Sequence, residues 1–144
     1  MFILDANVLI YALRRDSPFH QACYNWLTQT LSQGEAVYAP SVVELAVVRI
    51  SSLPSLGASA ATPVAVFSFL EALREHGYDQ IEPGSGHLAH WSSLCAELKL
   101  RGNDVNDAFL AALALEYGAT LVSADEGFKR FKSLAWFNPL NPGS

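Results

Sequence analysis

The chain has little charge, few cysteines and no apolar run long enough to cross a bilayer. Of its 144 residues, 16% are charged and only two are cysteines. Its apolar stretches are interrupted by Glu44, Glu71 and Glu116, well short of the ~20 residues that a bilayer requires. The start reaches Asp5 without a basic residue and is therefore not expected to be a signal peptide. These absences argue against a membrane protein.

Basic residues are scarce as well. The chain has 9 Lys and Arg against 14 Asp and Glu, a net charge of −5. Proteins that bind nucleic acids usually present a basic face, so contact with RNA or DNA is expected only if the acids gather in one place and hold cations. Cys23 and Cys95 lack the spacing of metal ligands and are predicted to be buried free thiols, which places the protein in the reducing cytoplasm.

The composition is that of one folded domain spanning residues 1–144. Hydrophobic residues make up 51% of the chain, which excludes disorder. A chain of this length buries roughly 70% of the surface that it exposes when unfolded. No repeat, low-complexity tract or linker divides it.

Short β-like runs alternate with longer helical patterns. We predict strands at 2–4, 36–39, 78–82, 120–123 and 135–137, and helices at 6–13, 17–32, 41–50, 63–76, 86–100, 104–117 and 126–131. Ser17 and Pro18 are expected to cap and begin the second helix. Strands separated by helical crossovers predict a three-layer α/β/α domain with a central parallel sheet of four to five strands. In such sheets the functional crevice lies beyond the carboxyl ends of the strands.

Five of the acids are predicted to lie at that edge of the sheet. Asp5 directly follows the first strand, and Asp125 comes shortly after the fourth. Glu44 falls in the first turn of the helix after the second strand, and Asp104 and Asp107 fall in the first turn of the alanine-rich helix. No Lys or Arg lies among them in the sequence.

Most of these acids also have a local explanation. Ser41 and Glu44 have the spacing of a capping box, in which the Glu44 carboxylate accepts a hydrogen bond from the Ser41 N–H. Asp104 and Asp107 suit the start of a helix, and Asp125 suits a turn or a cap. Asp5 is harder to explain locally, because a carboxylate directly after a buried strand costs free energy of folding unless its charge is compensated.

Considered together, the acids suggest a metal site. Like charges converging on one edge repel, and Mg²⁺ or Mn²⁺ would remove the repulsion because hard cations prefer oxygen ligands. Such a site can polarise a phosphate oxygen and activate a bound water. The chemistry therefore favours metal-assisted hydrolysis of a phosphodiester, which also reconciles an acidic protein with a polyanionic substrate.

Several motifs follow one another along nearly the whole chain at suitable spacing. They are Asp5-Ala-Asn7-Val-Leu-Ile, Glu44, Gly102-Asn-Asp-Val-Asn-Asp107-Ala-Phe-Leu-Ala-Ala-Leu-Ala, Leu121-Val-Ser123-Ala-Asp125-Glu-Gly-Phe128 and the ending Leu134-Ala-Trp136-Phe-Asn138-Pro139-Leu. In these motifs the chain resembles the PIN-domain ribonucleases, and most of all the VapC toxins of bacterial toxin–antitoxin pairs. Each motif is weak alone; their order makes the resemblance specific.

The resemblance implies an Mg²⁺- or Mn²⁺-dependent endoribonuclease that forms a homodimer and is inhibited by a cognate VapB-type antitoxin. The family's four acidic positions correspond to Asp5, Glu44, Asp107 and Asp125. We expect Asp5 and Asp107 to bind the metal directly, and Asp125 to bind it directly or through water. Glu44 would orient or deprotonate the attacking water or help to hold a second ion. Asp104, one turn before Asp107 on the same helix face, would assist or cap.

Other polar residues near these motifs are candidates for supporting roles. Asn7 and Ser123 are expected to orient the metal ligands or to serve in turns and caps. Arg49 is expected to face the antitoxin or the protein's own acids. The candidates for RNA binding are Arg14, Arg15, Lys129, Arg130 and Lys132, whose alternative is a solvated helix end.

Three other functions would require different residues or the loss of catalysis. A haloacid-dehalogenase-type phosphotransferase would need an Asp where Asn7 stands. A receiver domain would need its phosphorylated Asp after the third strand, where Glu82 and Pro83 stand instead. The remaining alternative is a PIN fold that has lost catalysis and serves only as a binding module, and the presence of all four acids argues against that loss.

Overall fold

A computed structural model of the protein describes residues 1–143. Its centre is a sheet of five parallel strands in the order β3-β2-β1-β4-β5. The strands are β1 Phe2–Leu4, β2 Val37–Ala39, β3 Tyr78–Gln80, β4 Thr120–Val122 and β5 Trp136–Phe137. Helices cover the sheet, and the predicted three-layer α/β/α architecture is confirmed.

The helices occupy the predicted segments with small shifts at their ends. They are α1 Ala6–Leu13, α2 His20–Ser32, α3 Ser41–Ser51, α4 Pro63–Glu75, α5 His87–Leu98 and α6 Asp104–Tyr117. Short 3₁₀ helices span Pro54–Ser59 and Glu126–Arg130. The predicted start of the second helix was wrong. The Ser17 hydroxyl accepts a hydrogen bond from the Phe19 N–H, and the backbone turns between Ser17 and His20, so α2 begins only at His20.

The three central strands, β1, β2 and β4, are short and mainly apolar, and they form the middle of the core. Ile3 and Leu4 of β1 are fully buried. Val37 of β2, the strand that pairs with β1, is also fully buried. Leu121 and Val122 of β4 are equally buried. A strand covered on both faces by helices must be apolar at successive positions, as these are.

Within residues 1–143, helix α6 contributes more buried residues than any other helix. The small side chains of its buried alanines let the helix lie close to its neighbours. Its buried residues are Ala108, Leu110, Ala111, Ala112, Leu113 and Ala114. The helix ends at Gly118, whose φ of 63° is left-handed and therefore suited to glycine. Trp91 of α5 and Phe109 of α6 meet edge to face with their ring centroids 5.1 Å apart. These contacts hold the first turn of α6 in place beside the sheet.

The strand order places a topological switch point between β1 and β4. The chain moves from β1 to β2 and β3 on one side and returns to β4 and β5 on the other. Ligands of open parallel sheets bind at such a point, beyond the carboxyl ends of the strands. Asp5 and Asp125 follow β1 and β4 and therefore lie there. No helix within residues 1–143 is both long and apolar enough to span a bilayer.

Substitution Leu110→Asp tests the packing of α6. The Leu110 side chain is 7% exposed, and a carboxylate placed there would have to ionise in the core or stay protonated. We expect a loss of about 4 kcal/mol or more, enough to abolish the cooperative thermal transition followed by circular dichroism. The control is Leu88→Asp in the first turn of α5, where Leu88 is 69% exposed. A wild-type transition in Leu110→Asp would contradict this account of the core.

Candidate active site

Asp5 lies at the centre of a hydrogen-bond network at the end of β1. Its backbone N–H donates to the Val122 carbonyl at 2.9 Å, which fixes it beside β4. Its Oδ1 accepts a hydrogen bond from the Ala6 N–H at 2.7 Å, and its Oδ2 accepts one from the Ser123 hydroxyl at 2.7 Å. The carboxylate is therefore oriented by both strands that flank the switch point.

Asn7 and Ser123 hold this arrangement together. The Asn7 amide nitrogen donates to the Asp5 Oδ2 at 3.3 Å and to the Ser123 hydroxyl at 3.2 Å. The Asn7 carbonyl oxygen accepts from the Ala124 N–H at 3.0 Å. The buried Ser123 hydroxyl also accepts from the Asp125 N–H at 3.1 Å. The two residues thus bind the loop after β4 to the loop after β1.

Asp125 is close enough to influence the ionisation of Asp5, and both of them influence the ionisation of Asp107. Burial raises the pKa of Asp5, and the charge of Asp125 raises it further, against the hydrogen bonds from Ser123 and Ala6. Burial raises the pKa of Asp107 as well, and the charges of Asp125 and Asp5 add to that effect. We call Asp5, Asp107 and Asp125 the aspartate cluster. Its members come from β1, α6 and the loop after β4, and they repel one another.

Arg130, one of the cations predicted to bind RNA, lies beside this cluster and pairs with its acids. The guanidinium of Arg130, at the end of the second 3₁₀ helix, is 2.9 Å from the Asp107 Oδ2 and 3.5 Å from the Asp104 Oδ1. It lowers the pKa of Asp107 against the larger effect of burial. Asp104 does not serve as the cap of α6, since Asn103 precedes the helix and Asp104 pairs with Arg130.

The donor set suits a hard divalent cation, although it is not closed around one point. In the part of the chain from residue 1 to 143, no three carboxylate, imidazole or thiolate groups already surround a common centre. The aspartate cluster, in which the pKa of Asp5 and of Asp107 is raised, nevertheless supplies the charge and the oxygen atoms that Mg²⁺ or Mn²⁺ requires. Asp125 also caps the second 3₁₀ helix, since its Oδ1 accepts from the Gly127 N–H at 2.8 Å.

Glu44 is not brought to the aspartate cluster. Both of its carboxylate oxygens lie 2.9 Å from an Arg74 nitrogen, and its Oε2 accepts a hydrogen bond from the Tyr78 hydroxyl at 2.7 Å. Gln80 donates a further hydrogen bond at 3.3 Å. The capping-box interpretation is wrong as well, because the Ser41 N–H donates to the Glu82 carboxylate instead. Glu44 therefore joins α3 to α4 and β3.

The predicted RNA-binding cations are divided between two places. Arg14 and Arg15 follow the far end of α1, about 12 Å along the helix axis from its start beside Asp5. Arg14 pairs with Asp16 at 3.5 Å. The other group contains Lys129, Arg130 and Lys132 and follows Asp125 along the chain, and Arg130 of this group contacts Asp107. In that group Lys129 pairs with Glu126 at 3.2 Å, and Lys132 is exposed.

A cavity of about 470 Å³ opens beside the aspartate cluster. Asp5 and Asp107 line it together with Arg49 of α3 and Asn106 of α6. The rest of its wall is mainly apolar and includes Val42, Val43, Leu45, Ala46, Trp91, Phe109 and Leu110. Arg49 thus faces the cavity of the protein's own acids, one of the two positions expected for it. Its helical spacing from Val42 and Ala46 was the signal that could have placed it there.

A family model described as the PIN domain matches residues 2–134 of the chain. Among curated relatives, VapC ribonuclease Mb2897 of Mycobacterium bovis is 32% identical over 142 residues, which cover 98% of this chain and 97% of that protein. Ribonuclease VapC31 of Mycobacterium tuberculosis is 31% identical over 140 residues, with 96% and 99% covered.

A solved structure shows the same fold. It is VapBC2 from Rickettsia felis bound to a DNA fragment from its promoter, one chain of which matches with a TM-score of 0.69 and 22% identity. The match covers 95% of this chain and 97% of the matched chain.

The raised pKa of Asp5 has a consequence for stability. Because the folded protein binds this proton more tightly than the unfolded chain, ionisation of Asp5 destabilises the fold as the pH rises from 3.8 through the raised value. In metal-free buffer, Asp5→Asn should therefore melt at a higher temperature than wild type at neutral pH. The advantage should shrink as the pH falls towards 3.8.

Asp16 supplies a control of opposite sign for this measurement. Hydrogen bonds from Ser59 and Arg14 lower the pKa of Asp16, so its ionised form stabilises the fold above the unfolded value. Asp16→Asn should lower the melting temperature at neutral pH. Equal changes of melting temperature in Asp5→Asn and Asp16→Asn would show that repulsion within the aspartate cluster does not determine the melting temperature of Asp5→Asn.

Proposed function

The chain belongs to the PIN domain family, and on that basis we propose that it is a metal-dependent endoribonuclease of the VapC kind that a VapB-type antitoxin restrains. The observation that carries the proposal is the aspartate cluster at the switch point of the sheet, beside an open cavity. Three mutually repelling carboxylates destabilise the fold unless a bound cation offsets their charge. Relatives named ribonucleases, matched along nearly their whole length, favour RNA as the substrate.

Each member of the site has a role that its contacts support. Asp5 and Asp107 would hold the cation directly, and the more exposed Asp125 would do so directly or through water. A Mg²⁺ or Mn²⁺ ion bound there would polarise a phosphate oxygen and lower the pKa of a bound water. Asn7 and Ser123 keep the Asp5 carboxylate in one orientation through their hydrogen bonds to it.

Arg130 and Glu44 take roles that differ from those expected of them. Arg130 neutralises Asp107 in the absence of a cation, and its guanidinium must share or release that carboxylate when a cation binds. Glu44 stabilises the junction of α3, α4 and β3 through Arg74 and the buried Tyr78. We assign it this positioning role in place of proton transfer, because its carboxylate oxygens are already occupied by those partners.

The proposal extends to partners and location. The Rickettsia felis structure has the VapB and VapC proteins together, which supports a VapB-type antitoxin for this chain. The homodimer implied by the family resemblance is part of the same proposal. Free thiols at Cys23 and Cys95 and an RNA substrate suit the cytoplasm, the compartment that we propose.

The catalytic proposal is tested by mapping new 5′ ends in total bacterial RNA incubated with the protein and Mg²⁺ or Mn²⁺. We expect discrete cuts that EDTA abolishes and that Asp5→Asn reduces by more than roughly a hundredfold, since even outer-shell changes at metal sites cost 10- to 100-fold. Asp16→Asn is the matched control and should cut at the wild-type rate. Cleavage that survives both EDTA and Asp5→Asn would overturn the proposed site.

Glu44→Gln separates the two roles considered for Glu44. If Glu44 stabilises the fold, the variant should lose about 1 kcal/mol of stability, because one charged partner of Arg74 and Tyr78 becomes neutral. Its kcat should stay near the wild-type value once the protein is folded. Tyr78→Phe should lower the melting temperature in the same way. A fall in kcat as large as that of Asp5→Asn, at unchanged stability, would return Glu44 to the catalytic machinery.

A further inference from the structure

Arg49 is a cation on the wall of the cavity that also contains Asp5 and Asp107. Its side chain is exposed and, within residues 1–143, makes no ion pair or hydrogen bond. Two of the cations that follow Asp125 along the chain are occupied. Arg130 is bound to Asp107 and Asp104, and Lys129 is bound to Glu126.

The geometry of α3 explains why Arg49 reaches the cavity and Glu44 does not. Val42, Ala46 and Arg49 follow one another at spacings of four and three residues, which places them on one face of the helix. Glu44 precedes Arg49 by five residues and is rotated by about 140° around the helix axis. One face of α3 therefore lines the active-site cavity, and the other is fastened to α4 and β3.

An unpaired cation beside the active site of an acidic protein favours the binding of a polyanionic substrate there. The chain carries a net charge of −5, and the aspartate cluster adds local negative potential where the substrate must enter. A guanidinium presents a planar set of donors that matches phosphate oxygens in pairs and stays charged at every physiological pH. Most residues around Arg49 in this wall are apolar, and within residues 1–143 its guanidinium forms no ion pair with the two aspartates of the cavity.

We propose that Arg49 binds a backbone phosphate of single-stranded RNA in this cavity and so holds the strand against the aspartate cluster. The assignment rests on the proposed ribonuclease function. A single strand is the form that fits, because the half-buried rings of Trp91 and Phe109 in the same wall can receive an unstacked base, whereas a duplex keeps its bases inside. Since the contact is to the backbone, it does not distinguish one base from another.

The test is fluorescence anisotropy with short labelled oligouridylate and oligoadenylate at several salt concentrations, in EDTA so that no strand is cut. Arg49→Gln should weaken the binding of both oligonucleotides about tenfold, the effect of losing one charge-assisted hydrogen bond. The slope of log K against log salt should fall by about 0.7, the value for one phosphate contact on a single strand. With Mn²⁺ present, KM should rise while kcat remains close to wild type.

Lys99→Gln is the matched control, because it removes the same charge from an exposed residue outside the cavity. It should leave the salt slope within error of wild type. Equal losses in Arg49→Gln and Lys99→Gln would overturn the proposal, since net charge alone would then account for binding. Unchanged binding in Arg49→Gln, or wild-type protein that binds neither oligonucleotide, would overturn it as well.

The two proposals fail in different ways. If Arg49→Gln loses binding but cleavage survives EDTA and Asp5→Asn, the phosphate contact stands and the proposed metal site is wrong. If cleavage requires metal and Asp5 while Arg49→Gln binds RNA normally, the metal site stands and Arg49 is not a substrate contact.

Discussion

The repulsion among three aspartates at the carboxyl ends of β1 and β4 is the constraint to which the surrounding structure is adapted. Burial and neighbouring charge both raise the pKa of Asp5 and of Asp107. The fold tolerates this because Asn7, Ser123 and the Ala6 N–H donate hydrogen bonds to the Asp5 carboxylate. A site that is unfavourable when empty gains most from a cation, which links the electrostatics of the fold to its proposed chemistry.

Rigid elements hold the cluster despite that repulsion. β1 and β4 are adjacent strands, and Asp5 is tied to Val122 through the backbone. Asp107 lies in the first turn of α6, whose buried alanines and leucines anchor it against the sheet. Moving the backbone of Asp5 or Asp107 away would therefore require a strand or a buried helix to move. Such preorganisation is what a metal-dependent active site needs, because its ligands must stay in place before the substrate arrives.

Helix α3 shows how one element serves two purposes. Its Arg49 side lines the cavity, while its Glu44 side is joined to Arg74 and the buried Tyr78 hydroxyl. Glu44 lies in the first turn of α3, which follows the carboxyl end of β2. The rotation of the helix about its own axis then turned the carboxylate to another neighbour. That rotation follows from which apolar residues pack inward, a property of the whole core.

The amino-acid sequence by itself determined the order of strands and helices, the parallel sheet and the edge at which Asp5, Asp107 and Asp125 meet. These features follow from local alternation of apolar segments and from the handedness of crossovers, which act over short stretches of chain. Only the tertiary structure decided the partners of long side chains: Arg130 on Asp107 across 23 positions, and Glu44 on Arg74 across 30. Such pairs depend on helix rotation and on which surfaces pack together, so no spacing within the sequence could specify them.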